Sequence, residues 1–441
     1  MRTLLFYACL PLVAYLGVTR PFWGLVIYLS ANIIRPEMLF WGGDTGMILF
    51  KVSIGSTLLG YLLRTKGVFS PWREREFWLL LWVWLAVAAS LVFSPISLAP
   101  KAWYYADELF KLCILAWLML GLLKEEARVL KMVDVLLIVA SLLALWGWDQ
   151  SFRGNERLEG LGGNAFGDSN FVAAFAALFF PVALHKLLTA ASRNQKLFGA
   201  AAALLLGVLI VLTKSRGGFL GLAAGALYLL WRTPRKKALV TAMLIMLLLA
   251  SPFIGEHYLQ RISTISSEQE ERDFSAGSRL VLWNAGWLAF MDHPLFGVGL
   301  LNFPIAKAPY RDALAGRYDE ELLDYAFQGY KVGHSTWFCQ MLAEGGLFLT
   351  VPFLWLIFGF FRRAHRLHLA RPPTGEIQPL RNLLVGLEAG IFAYCVSISF
   401  IDALLIPFLP IQILLGMQVI KLLEQKKVSA TVPSGPREVM S

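Results

Sequence analysis

The chain has 441 residues, 57% hydrophobic and 16% charged, with a mean hydropathy of +0.60. One water-soluble core cannot hide that much apolar surface, which excludes a soluble globular protein and implies a polytopic membrane protein. The formal charge of +10 sits in short loops between apolar runs, so it carries topology information rather than a nucleic-acid footprint, and no nucleic-acid partner is expected.

Apolar runs recur at roughly 3 to 18, 21 to 40, 46 to 63, 77 to 94, 103 to 123, 131 to 148, 169 to 189, 197 to 212, 216 to 231, 237 to 255, 336 to 361, 382 to 400 and 404 to 421. Each is long enough to cross the hydrocarbon layer as a helix, which predicts an all-α protein with about 12 or 13 transmembrane helices. A β-barrel would show short alternating strands instead. The first run follows Arg2 as a signal peptide would, but no small-residue cleavage site precedes the second, so it reads as a retained helix. Cys9, Cys113, Cys339 and Cys395 lie inside apolar runs at spacings that indicate neither a disulfide framework nor a metal site.

The predicted organisation is an N-terminal helical bundle over 1–255, a helical cap loop over 256–333, C-terminal transmembrane helices over 334–422 and a tail over 423–441. Lysine and arginine collect in every second loop: Arg64 to Arg75, Lys124 to Lys131, Lys186 to Lys196, Arg232 to Lys237 and Arg362 to Arg371. Those loops are expected to face the cytoplasm. Arg2 and Arg20 compete, so the direction of the first helix stays open.

The opposite face holds the unusual residues. Segment 149–168 is rich in glycine and mixed charge and ends at Asp168-Ser169-Asn170, where Asp168 or Ser169 would cap the next helix. It is either a polar connector or a wall of a substrate cleft bearing Arg153 and Arg157, with Asn170 and Ser335 as further cleft candidates. Within 256–333, Ser266 to Asp273 reads as solvated. Ser278 to Trp287 reads as a helix with Trp283 and Trp287 one turn apart, suited to lie against the membrane interface. His293-Pro294 breaks it, Gly297-Val298-Gly299 turns, and Lys307 to Lys331 keeps enough aromatic residues to fold. Asp402, at the outward turn between the last two helices, reads as exposed, although a carboxylate beside the membrane can also face protein.

Three cations on this face suggest chemistry. Lys214 and Arg216 occupy a tight outward turn that opens a helix, where paired glycines would let a ligand approach the backbone and free N–H groups favour an anion. The turn is either a phosphate seat or a snorkelling anchor. Arg279 begins the Trp-bearing helix and could set a second guanidinium around one pyrophosphate, which a fork-shaped cation suits. His334 precedes an apolar helix, and a neutral imidazole there could accept a proton from a hydroxyl. The chain has no P-loop, His-Glu-x-x-His, Gly-x-Ser-x-Gly or dinucleotide fingerprint. It also lacks a paired-Asp motif for holding a nucleotide sugar through a metal, so neither metal nor cofactor is expected.

His334-Ser335 followed, after nine intervening residues, by Gly345, Arg216-Gly217-Gly218-Phe219-Leu220, and Ser278-Arg279 with the later His293-Pro294-Leu295-Phe296-Gly297 together resemble the O-antigen ligase and O-antigen polymerase family of bacterial membrane glycosyltransferases. The resemblance covers roughly residues 150 to 420; one position departs from it, Phe348 standing where the family pattern has a second glycine. The segment Arg35 to Gly42 looks like a subgroup of O-glycosylation ligases that accompany exosortase systems. The resemblance implies an inner-membrane enzyme, GT-C-like, with its site on the periplasmic face. The implied donor is a glycan on undecaprenyl pyrophosphate, and the acceptor hydroxyl belongs to lipid A core, another glycan or a protein. By the same resemblance His334 would orient or deprotonate the acceptor, and Arg216 and Arg279, with Lys214, would hold the pyrophosphate. A repeat-unit polymerase of the same family and a lipid-linked sugar transporter or flippase are the alternatives, the latter disfavoured by the lack of internal repeats.

Overall fold

The computed structural model describes residues 2–34, 48–100, 102–155, 158–161, 166–251, 269–329, 332–369 and 377–431. The chain is helical among these residues, with no strand. Helices α1 (Arg2–Thr19), α2 (Pro21–Ile34), α3 (Ile48–Arg64), α4 (Arg75–Val92), α5 (Ala102–Leu122), α6 (Glu126–Phe152), α7 (Ser169–Thr189), α8 (Arg193–Leu212), α9 (Arg216–Arg232) and α10 (Lys236–Ala250) come first. After α11 (Gln269–Asp292) come three short helices, α12 (Phe303–Ala306), α13 (Tyr310–Leu314) and α14 (Glu320–Phe327). A π-helical segment, Thr336–Glu344, leads into α15 (Gly345–Leu369), followed by α16 (Gln378–Ser397) and α17 (Phe408–Thr431).

Six stretches are long and apolar enough to cross a membrane: α4, α6, α7, α8, α16 with its 3-10 extension to Phe400, and the continuous Thr336–Leu369. The other predicted spans are shorter helices or carry more charge, as α5 does with Asp107, Glu108 and Lys111. The fold is that of a multi-pass, all-α membrane protein.

At the centre stands α7, the most enclosed of these helices. Its alanines leave room for close neighbours, which is how helices associate when lipid is as apolar as their side chains. Gly386 and Gly390 bring α16 onto the backbone of α7 at Val182 and Leu178, and Gly225 of α9 lies against Pro181. Helices α7, α9 and α16 thus form a tight unit whose ends are fixed relative to one another. Asp168 caps α7, its carboxylate accepting the Asn170 N–H at 2.7 Å.

A second core holds the described part of the large polar segment together. Val281, Leu282, Ala285 and Ala289 of α11 pack with Phe303, Leu314, Leu323 and Ala326. The same core takes in Cys339 and Ala343 of the π-helical segment, so α11 to α14 rest on that segment. The 94–99 connection joins them, Ser94 Oγ donating to Val298 O at 2.7 Å and Ala99 N to Asn302 Oδ1 at 2.7 Å.

Several expectations change. Helix α11 begins at Gln269, nine residues before the predicted start at Ser278. Trp283 stacks on Phe338 (centroids 5.4 Å apart, planes at 19°) and neighbours Phe400. Trp287 remains exposed. The direction of α1 is resolved: Arg20 at its end shares a pocket with Arg64 and Arg128, which places Arg20 with the basic loops and Arg2 at the other end.

Candidate active site

Five pieces of chain meet at one end of the α7, α9 and α16 unit: the start of α7, the 213–216 turn, the Arg279 to Trp283 stretch of α11, residues 333–340 and residues 398–404. Ser215 ties the first two together. Its hydroxyl donates to Asn170 Oδ1 at 2.6 Å and accepts the Gly218 N–H at 3.1 Å, capping α9. The cap puts exposed Arg216 on the first turn of α9, beside N–H groups that no helical carbonyl satisfies.

The glycines after Arg216 serve packing rather than ligand approach, which corrects the sequence reading. Gly217 and Gly218 are buried. A Cβ at Gly217 would stand 3.4 Å from Phe400 Cβ, and one at Gly218 would collide with Ala173.

The 333–340 segment is stitched to the 398–404 turn. Thr336 Oγ1 donates to Ile401 O at 2.7 Å and accepts from Ala403 N at 2.9 Å, while Gln340 Oε1 accepts from Leu404 N at 2.9 Å. Asp402 holds the tip of this segment, accepting the backbone N–H of His334 at 3.2 Å and of Ser335 at 3.0 Å. His334 itself adopts φ +47°, a left-handed conformation that a non-glycine residue keeps only when its surroundings impose it. The two-pronged carboxylate supplies that constraint and fixes the direction in which the imidazole leaves the backbone. Lys214, at φ +53°, is a second such residue at the same end.

Arg279 joins these pieces electrically. Its pKa is lowered from the ordinary guanidinium value, first by burial and then by the charge of Arg216, while Asp168 and Asp402 act in the opposite direction. Arg216 and Arg279, from two elements, are therefore close enough to repel, with two carboxylates balancing them from the start of α7 and the 398–404 turn. Two like charges in one another's field lose part of their repulsion where an anion binds between them. Asp402, read from sequence as exposed, is instead the link between Arg279 and the His334 backbone. It is pushed up to about 6, chiefly by desolvation, against the lowering effects of the Ser335 and His334 N–H groups and of Arg279.

The remaining sequence candidates divide. Asn170 engages both amide atoms inside the protein, donating to Asp168 at 2.8 Å and accepting from Ser215. Ser335 is fully buried and caps the π-helical segment by accepting the Phe338 N–H at 3.3 Å. Both hold neighbouring elements of the site in place through these hydrogen bonds. Arg153 is exposed and pairs with Asp149 at 2.8 Å, on its own helix turn. Arg157, the Arg35 to Gly42 segment and Ser266 to Glu268 fall outside the described residues.

The departure at Phe348 also has a physical account. The special backbone is at Gly346 (φ +61°, ψ −164°), where the π-helical segment turns into α15. Leu295 O and Gly297 N press against that position, where a Cβ would stand 2.5 and 2.8 Å from them. Phe348 points outward onto Trp82 and Phe296, at ring distances of 5.8 and 5.5 Å, so its place in the helix requires no glycine.

No curated protein matches the chain. Residues 201–354 match the family model described as O-Antigen ligase, a segment that includes Arg216, Arg279 and His334 but leaves Asp168 and Asp402 outside. Over that segment the chain is similar to the O-antigen ligase family, and as a whole it is a multi-pass, all-α membrane protein.

Proposed function

We propose that this protein transfers a glycan from undecaprenyl pyrophosphate to an acceptor hydroxyl, with inversion and without a metal ion, at the periplasmic face of a bacterial inner membrane. The observation that carries the proposal is the grouping of Arg216 and Arg279 with the Asp402-held His334 segment. In this reading the two guanidiniums, with Lys214 on the same turn, seat the pyrophosphate, and the helix N-terminus of α9 adds N–H donors. The acceptor oxygen attacks the anomeric carbon from the side opposite the leaving group. Its bond to that carbon forms as the bond from carbon to pyrophosphate oxygen breaks, the electron pair leaving with the pyrophosphate, which the arginines stabilise. The hydroxyl proton passes to the His334 imidazole. The described part of the polar segment, α11 to α14, caps the cleft and admits the acceptor.

The test supplies purified protein with a defined undecaprenyl-pyrophosphate glycan and three acceptors: lipid A core, a peptide bearing serine and threonine, and the glycan itself. The expected result is a product heavier by one donor glycan, with inverted anomeric configuration, on one acceptor. Movement of intact lipid-linked glycan between vesicle leaflets with no new glycosidic bond would overturn the proposal in favour of a transporter. Extension of the glycan alone would assign the polymerase reaction.

A further inference from the structure

At the end of the bundle away from the Arg216, Arg279 and His334 group, three arginines distant in sequence converge. Arg20 lies at the α1–α2 turn, Arg64 ends α3 and Arg128 lies in the first turns of α6. Small residues cause the convergence: Gly17 and Gly60 let α1 and α3 touch, and Gly24 lets α2 close on Thr57. With Thr65, Phe22 and Trp23 the three arginines line an open pocket of about 500 Å³. Among the described residues no carboxylate lines this pocket. Of the three arginines, and again among the described residues, Arg128 alone has an ion pair, with exposed Glu125 at 2.8 Å. Lys131 adds a fourth cation, its ammonium 5.4 Å from the Trp23 ring centre.

With two of the three arginines outside any ion pair among the described residues and no acid lining the pocket, an anion bound between them is favoured. The surroundings say where the anion comes from. Phe69, Trp72 and Trp78 are exposed beside the 65–70 turn, and Trp78 is fixed by donating its indole N–H to Trp72 O at 2.8 Å. Exposed aromatic residues of this kind settle at headgroup depth. Within the turn and a half before Arg64, α3 presents exposed Leu59, Leu62 and Leu63 on one face.

We propose that this pocket binds the phosphate headgroup of an anionic membrane phospholipid, with the acyl chains lying along Leu59, Leu62 and Leu63. Three positive charges at one rim match two phosphodiesters better than one, so a lipid with two phosphates is preferred. The inference uses no residue of the transfer site and stands or falls separately from it.

Native mass spectrometry of the full-length protein in detergent tests it, with tetraoleoyl cardiolipin, phosphatidylglycerol, phosphatidylcholine and inorganic pyrophosphate as probes. The protein should retain cardiolipin over phosphatidylglycerol and both over phosphatidylcholine. The triple variant Arg20→Gln, Arg64→Gln, Arg128→Gln should lose at least about tenfold in cardiolipin affinity, and the corresponding triple lysine variant should keep most of it. Should the glutamine variant fail to fold, the lipid ranking of the unaltered protein and the lysine variant carry the test. Cardiolipin held no better than phosphatidylcholine, or held equally by the glutamine variant, overturns the proposal. So does displacement of cardiolipin by equimolar pyrophosphate, which would make the pocket a soluble-anion site.

Discussion

The Asp402 carboxyl accepts two backbone N–H groups and faces Arg279, yet desolvation leaves its pKa raised to about 6. A free aspartate titrates near 4, so between roughly pH 4 and 6 the folded protein keeps a proton that the unfolded chain has released. Folding stability therefore falls as pH rises through that window, and the cost stands in full above it. Activity should follow the opposite sign, because only the ionised carboxylate can accept both N–H groups and balance Arg279. The transfer rate is expected to drop as pH falls through about 6, and Asp402→Asn should remove that inflection while slowing transfer on the order of tenfold to a hundredfold at pH 8. A pH-rate profile of the two proteins checks this; an identical inflection in the variant would contradict it. No local pattern marks Asp402, since its partners lie 67 and 68 residues earlier in the chain. Arg216, Arg279 and His334 can be named as candidates from the sequence because each departs from its apolar or outward-facing surroundings.

Among the elements, the junction of the π-helical segment and α15 governs where His334 stands relative to the rest. The 293–299 turn docks there through Val298 N to Ala343 O at 2.8 Å and Leu347 N to Pro294 O at 2.8 Å. Gly346 has a backbone conformation open essentially to glycine alone, with Leu295 O against it. Gly346→Ala should destabilise the protein by about 1 to 3 kcal/mol or more, from backbone strain plus the clash. A thermal melt in detergent reads this directly. Phe348→Gly should not act through backbone strain, losing only the contacts with Trp82 and Phe296, and an unchanged melt in Gly346→Ala would refute the account of the junction. The sequence pattern places a turn at Gly297-Val298-Gly299 but not its docking partner. Likewise the glycines after Arg216 look like ligand-approach glycines until Ala173 and Phe400 are seen beside them.

For the whole molecule, the helical membrane class was legible in composition, because an apolar run bounded by charge has few other solutions. The direction of α1 was not, because Arg2 and Arg20 are equivalent as isolated charges. Packing of α1 on α3 through Gly17 and Gly60 decides it, a contact between residues far apart in sequence. The tight unit of α7, α9 and α16 gives the site its rigidity, and α11 brings Arg279 to it from the polar segment. The central claim is that this arrangement delivers a hydroxyl to His334 while two arginines hold the leaving group. Its most direct test is glycan transfer by His334→Ala, measured with saturating lipid-linked donor alongside donor binding to the same protein. Loss of transfer by a factor of about a hundred or more, with donor binding retained, is the predicted result. Transfer at the rate of the unaltered protein would contradict it.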